Sequence, residues 1–387
     1  MVTPQRTAGT SSAGTLPEFL LYFLRLGTLG FGGPIALTGY MQRDLVEERG
    51  WITKEDYVQG LALAQLAPGP LAAQLATYLG WVRYGVSGAT LVSVAFVVPS
   101  FIMVVVLAWL YLRFGGLSWM QGAFYGIGAS VIAIIARSAY KLTKTTLGKD
   151  MLLWTLFVMS AVVTAWTESE IVWLFLLSGV VALAIRGAGR SAHLSSLALL
   201  PPWLWSGLHG PASDQTLSRL FWYFAEAGAF VFGSGLAIVP FLHAGVVKEF
   251  HWLTERQFLD AVAVAMITPG PVVITVAFIG YLVAGPLGAI LAALGTFLPC
   301  YLFVIIPAPY FRKYARNTFV SAFVSGVTAA ATGAIAGAAF VLGRRAIVDI
   351  TTAALALVTL LILIKVRTVP EPLLILCAGL VGLLIVR

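Results

Sequence analysis

Apolar runs of helical length follow one another along almost the whole chain, and the polar residues fall in short breaks between them. Residues 86–113, 119–146, 151–167 and 170–186 read as four such runs, and a bilayer crossing needs ~20 residues of helix. The pattern before them is more broken. Residues 17–31 read as a helix interrupted at Gly30-Phe31-Gly32-Gly33-Pro34, and 35–49 as an amphipathic helix ending in the charged run Arg43 to Arg49. Thr53, followed by Glu55 and Asp56, is a helix start with its cap and acidic first turn. The segment 54–67 is short and stops at Pro68-Gly69-Pro70. The segment 70–84 is equally short and begins on Pro70, at the first helical position where proline is favoured. Proline lacks the N–H that a helix interior needs and bends the residue before it away from helical angles, so Pro-Gly-Pro breaks a helix. In lipid such a break is tolerated where it is buried in protein or faces a polar cavity. The fold class is an all-α polytopic membrane protein.

The same pattern occurs twice. Shifted by 201, Gly27, Phe31, Gly32 and Glu48 fall on Gly228, Phe232, Gly233 and Glu249, Trp51 and Thr53 on Trp252 and Thr254, and Pro68-Gly69-Pro70 on Pro269-Gly270-Pro271. Shifted by 200, Gly80, Gly85, Gly88 and Pro99 fall on Gly280, Gly285, Gly288 and Pro299, and Gly126 and Gly179 on Gly326 and Gly379. The chain divides into a disordered tail (1–16), a first copy (17–186), a linker loop (187–218) holding Pro201-Pro202 and His209-Gly210-Pro211, and a second copy (219–387). Counting the first run as a crossing gives five crossings per copy, or seven if 54–67 and 70–84 also cross. Either odd number predicts two copies of inverted topology. The basic cluster agrees, lying at 137–149 in the first copy and one loop earlier, at 312–316, in the second. Taking 137–149, 186–219, 312–316 and 365–367 as cytoplasmic puts both termini outside.

Composition narrows the function. The 387 residues are 59% hydrophobic and 10% charged, against about 25% charged in an ordinary soluble domain. Net charge is +8, but the basic residues sit at the ends of apolar runs, which is an orientation signal and not a nucleic-acid surface. Two cysteines and four histidines show no metal-ligand spacing, and no cofactor is implied. The glycines at 27, 30, 32 and 33 follow no strand and open no βαβ unit, so a dinucleotide loop is excluded, and no phosphate-binding or catalytic motif supports an enzyme.

Interrupted helices in corresponding positions of two halves point to a transporter's binding site. The candidate site combines Gly32, Gly33, Pro68, Gly69 and Pro70 with Gly233, Ser234, Pro269, Gly270 and Pro271. The N–H groups of Leu71, Ala72 and Ala73, and of Val272 and Val273, face back toward the breaks, and a helix N-terminus is a ready anion site. Arg25 lies in the apolar stretch Leu20–Leu29, where a charge costs about 2.5–3.5 kcal/mol on insertion scales. Its mate in the second copy is Glu226. The pair reads either as an anion clamp with a carboxylate partner or proton carrier, or as a structural ion pair. Gln65, Gln74, Thr77, Thr268 and Thr275 flank the breaks as hydrogen-bonding candidates or as packing glue. Glu48 and Glu249 sit in charged runs and read as solvated.

These residues resemble the chromate ion transporter (CHR) family in its long, two-domain form. The resemblance rests on Phe31-Gly32-Gly33-Pro34, Trp51 with Thr53 to Asp56, Ala67-Pro68-Gly69-Pro70, Pro99-Ser100-Phe101 and their echoes, and covers nearly the whole chain after residue 16. The second copy departs from the first, with Ser234-Gly235 for Gly33-Pro34 and Cys300 for Ser100. The resemblance implies a secondary transporter in the bacterial inner membrane that exports chromate and confers resistance, with sulfate as the look-alike substrate. An anion channel and a sulfate uptake carrier use the same breaks equally well. The implied partners are the anion and membrane lipid, with a homodimer as the compatible assembly.

Overall fold

The computed structural model describes residues 14–31, 33–114, 118–167, 172–187, 214–230, 238–311, 318–366, 369 and 371–385. Every regular element among them is helical. The tail at 1–13 and most of the linker lie outside the described residues.

The first copy contains α1 (Leu16–Leu29), α2 (Gly33–Met41) continued by a π-helical stretch (Gln42–Glu48), α3 (Lys54–Leu66), α4 (Leu71–Phe114), α5 (Ser118–Leu147), α6 (Met151–Thr167) and α7 (Val172–Gly187). The second repeats the order as α8 (Asp214–Phe230), α9 (Ile238–His243) with a π-helical stretch (Ala244–Glu249), α10 (Glu255–Ile267), a 3₁₀ turn (Val272–Ile274), α11 (Thr275–Ile305), α12 (Thr318–Ala346), α13 (Ile350–Lys365) and α14 (Glu371–Ile385). Thr53 and Thr254 cap α3 and α10 as expected, accepting from the N–H groups of Asp56 (3.1 Å) and Gln257 (3.3 Å). Four helices are long and apolar enough to cross a bilayer: α4, α5, α11 and α12.

The broken first run is not a crossing. Tyr22 of α1 and Trp51 both lie under the Arg49 guanidinium, at 5.5 and 4.6 Å, and the Phe19 ring meets Trp51 at a tilt, 6.0 Å away. The beginning of α1 and the end of the π-helical stretch are therefore side by side, so α1 and α2 form the arms of a hairpin. In the second copy Tyr223 of α8 stacks on Phe241 (5.3 Å) and meets Trp252 (5.8 Å) in the same way. A second hairpin bends at Pro68-Gly69-Pro70, since Gly60 of α3 lies directly against the Tyr78 ring of α4. The chain then turns once more inside α4, where Tyr84 and Gly85 leave helical angles, as Ala284 and Gly285 do in α11. Thr77 and Ser93 bond across that turn at 2.7 Å. The Tyr84 hydroxyl donates to the Gly14 carbonyl (2.8 Å), so both hairpins of the first copy open on one face of the molecule.

This corrects the crossing count. In the described residues of the first copy α4 and α5 are long and apolar enough to cross, while α6 and α7 are shorter apolar helices, so an odd count no longer carries the inversion. A different observation speaks for it. The Thr90 and Tyr301 hydroxyls bond at 2.7 Å. Were α4 and α11 parallel, Thr90 would lie level with Ile290, roughly 16 Å along the axis from Tyr301. The two helices run antiparallel. The termini themselves, expected on one side, lie outside the described residues; Gly14 lies at the hairpin openings, and Gly382 near the end of α14 lies against Gly122 at the start of α5.

The copies are also interlocked. The long helix α5 packs against α13 and α14 of the second copy, and α12 against α6 and α7 of the first. The two largest apolar clusters are built around α1, α3 and the start of α4, and around α8, α10, α11 and α5; two smaller ones join α12 to α6 and α7.

Candidate functional site

Among the described residues, the two Pro-Gly-Pro bends and the end of α1 lie in the interior, against the other copy. The Gly270 N–H donates to the Gly30 carbonyl at 3.0 Å, joining the second hairpin of one copy to the first hairpin of the other. Each Pro-Gly-Pro bend abuts the proline-containing helix of the opposite copy. A Cβ on Gly69 would lie 3.1 Å from the Cys300 Cβ, and one on Gly270 would lie 2.8 Å from the Ser100 Oγ. Both glycines take positive φ, +137° and +99°, a region closed to most side chains. Their neighbours Pro70, Thr268, Pro269 and Pro271 are buried.

The first helical bond after the first bend runs from the Gln74 N–H to the Pro70 carbonyl (3.0 Å), so the N–H groups of Leu71, Ala72 and Ala73 precede the helical ladder. In the second copy the turn is tighter. The Ile274 N–H bonds to the Pro271 carbonyl (3.0 Å) in a 3₁₀ turn before α11 begins.

The polar residues expected around the breaks divide into two groups. Gln74 is 1% exposed and its Nε2 donates to the Pro68 carbonyl, so it holds the bend, while its Oε1 is buried without a partner. Thr77, Thr268 and Thr275 donate to carbonyls of their own helices, at Ala73, Val264 and Val272. Their hydroxyl protons serve the protein. Gln65, Arg25 and Glu226 are exposed on the protein surface, and among the described residues neither Arg25 nor Glu226 forms an ion pair. The structural-pair alternative for these two is therefore not what the structure shows. Gly33 begins α2, whereas Gly32, Gly233 and Ser234 lie outside the described residues.

Sequence reasoning missed two features. Ser100 and Cys300, fully or nearly fully buried, were visible as members of the Pro99-Ser100 and Pro299-Cys300 pairs but not as the neighbours of the opposite bends. Asp260 of α10 is 5% exposed and accepts a hydrogen bond from the Tyr111 hydroxyl of α4 at 2.7 Å. Its signal was an acid inside the apolar run Phe258–Ile267, which in a membrane protein is a functional indication by default. No group of histidine, cysteine and acidic side chains among the described residues could hold a metal ion.

Against known proteins, a family described as chromate transporter matches twice, over residues 17–183 and 218–383. A chromate transport protein of Cupriavidus metallidurans is 60% identical over 97% of this chain and 94% of its own length. A probable chromate transport protein of Synechococcus elongatus is 54% identical over 96% of both chains. A chromate transport protein of Pseudomonas aeruginosa is 31% identical over 82% of this chain and 79% of its own. No solved structure matches.

Proposed function

The chain belongs to the chromate transporter family, and from that premise we propose that it is a secondary transporter exporting chromate across the bacterial inner membrane and conferring chromate resistance, with sulfate as a second substrate. The observation that carries the reading is the meeting of hairpin bends from both copies, Gly270 N–H to Gly30 carbonyl, in the interior of a membrane-spanning bundle. Non-helical backbone at that depth is tolerated where it builds a site, and bends at matching positions of two halves are the expected place for one.

The chemistry suits a tetrahedral oxyanion. Chromate and sulfate are dianions of similar shape, and backbone N–H groups ahead of a helix ladder favour either. Arg25 supplies the cation, reached from the exposed side of α1, and Glu226 is its counterpart in the second copy. The antiparallel course of α4 and α11 supports inverted copies, so that one pair of hairpins opens to each side of the membrane.

Uptake of labelled chromate into everted membrane vesicles tests the reading, with membrane abundance measured alongside. Saturable uptake above that of vesicles lacking the protein, competed by sulfate, is the expected result. No uptake overturns the reading. Currents far above carrier turnover would make the protein a channel, and uptake only in right-side-out vesicles would make it an importer.

A further inference from the structure

We propose that Asp260 is the proton site of this carrier, and that the anion passes the end of the molecule where Asp260 lies only while its carboxyl is protonated. This rests on the reading of the chain as an anion carrier and adds its coupling ion.

Asp260 sits six residues into the apolar hairpin helix α10, about 9 Å from the Thr254 cap and about 15 Å of helix from the bend at Gly270. It is buried between the copies. The Tyr111 hydroxyl, from the end of α4, donates to its Oδ2, and the Tyr111 ring is held edge-on by Phe124 of α5 (5.6 Å) and Phe278 of α11 (5.5 Å). The carboxyl therefore joins four helices drawn from both copies, on the side from which the second copy's hairpins enter. Arg256, one turn earlier on α10, is the charged group that acts on it. Of the other titratable groups on the packed helices, Arg113 of α4 lies over the Trp109 ring (5.9 Å), Tyr125 of α5 bonds to Asp349, Arg137 of α5 pairs with Glu371 of α14 (3.8 Å), and Glu255 of α10 with His243 of α9 (2.7 Å).

The duplication supplies a built-in comparison. The positions matching Asp260 and Tyr111 in the other copy are Gln59 and Phe311. An acid with a hydroxyl donor at one end is replaced by an amide and a plain ring at the other, so only one end of the carrier can take up a proton at this level. An ionised carboxylate buried in low dielectric repels a dianion strongly, and a neutral carboxyl does not. Proton binding at Asp260 is thus a condition for anion passage, and the proton leaves once the anion has cleared that end.

The test is the pH profile of labelled chromate uptake in everted vesicles held at equal pH inside and out, for wild type, Asp260→Asn and Tyr111→Phe. Chromate takes up a proton itself near neutrality, so the readout is the ratio of variant to wild-type rate, in which the substrate's own titration cancels. Wild-type uptake should fall as pH rises. Asp260→Asn, a fixed neutral amide, should hold its rate, so that its ratio to wild type climbs at least fivefold across the profile. Tyr111→Phe removes a donor to the ionised carboxylate and should move the wild-type fall to higher pH without lowering the rate at the acidic end. A constant ratio for a well-expressed Asp260→Asn overturns the proposal, as does its complete inactivity at every pH. Should Asp260→Asn fail to accumulate, an unshifted profile in Tyr111→Phe overturns it instead. Absence of wild-type uptake at any pH would sink the carrier reading, which a pH-independent wild type would leave standing.

Discussion

Gly69 and Gly270 hold φ angles of +137° and +99° and have almost no room beside them. A methyl at either pays for a conformation L-residues avoid, roughly 1–2 kcal/mol, and meets Gln74 in one case and Ser100 in the other. Gly69→Ala and Gly270→Ala should each lower initial chromate uptake severalfold at near-normal membrane abundance. Symmetry of the packing predicts that Gly270→Ala is no milder than Gly69→Ala, although the two copies differ around their first breaks. Arg25 is the other residue to vary. Arg25→Lys keeps the charge but loses the bidentate geometry, and should reduce chromate resistance, scored as growth on chromate plates, without loss of protein; wild-type resistance in Arg25→Ala would remove it from the site. The importance of the two glycines was legible, because Pro-Gly-Pro leaves the middle residue few alternatives. The fate of Gln74 and the threonines was not. A polar side chain beside a break can bond its own backbone or a ligand, and only geometry decides.

At the scale of elements, the hairpins explain why α3 and the first part of α4 are so short. Each descends to the centre and returns, so neither needs ~20 residues. The sequence placed the breaks at Pro68-Gly69-Pro70, at Pro269-Gly270-Pro271 and between 84 and 86 where the structure has them, but could not say whether the chain continues or doubles back after each. The facing of Gly60 to Tyr78, eighteen residues apart, settles that. As a continuous helix they would be ~27 Å apart. Two prolines and a glycine thus make a bend, and removing the prolines does not fuse two aligned helices into one. It removes the stiffness that holds the bend in place. Gly60→Val is the sharper element-scale test. It forces the arms of the hairpin apart and should cut uptake as strongly as a change at the bend, while lowering thermal stability of the purified protein in detergent by several degrees. Unchanged stability and uptake would mean that the arms are not packed as described.

For the whole molecule, the duplication was plain in the sequence, whereas the count of crossings was not, because a broken hydrophobic run reads the same whether it spans or returns. Inverted copies put Lys149, in the loop between α5 and α6, and Val348, in the matching loop between α12 and α13, on opposite sides of the membrane. On the positive-inside rule the basic end of α5, with Lys141, Lys144 and the following Lys149, would mark the cytoplasmic side. Single cysteines at 149 and 348, on a background lacking Cys300 and Cys377, should react with an impermeant maleimide in opposite vesicle orientations; reaction of both in one orientation would remove the inversion. Whether the paired bends form the anion site is decided by labelled chromate uptake into proteoliposomes holding equal amounts of wild-type protein and Pro68→Ala/Pro70→Ala. Wild type should show saturable uptake and the variant at least tenfold less, with unchanged recovery of folded protein. Undiminished uptake by the variant would contradict a site there.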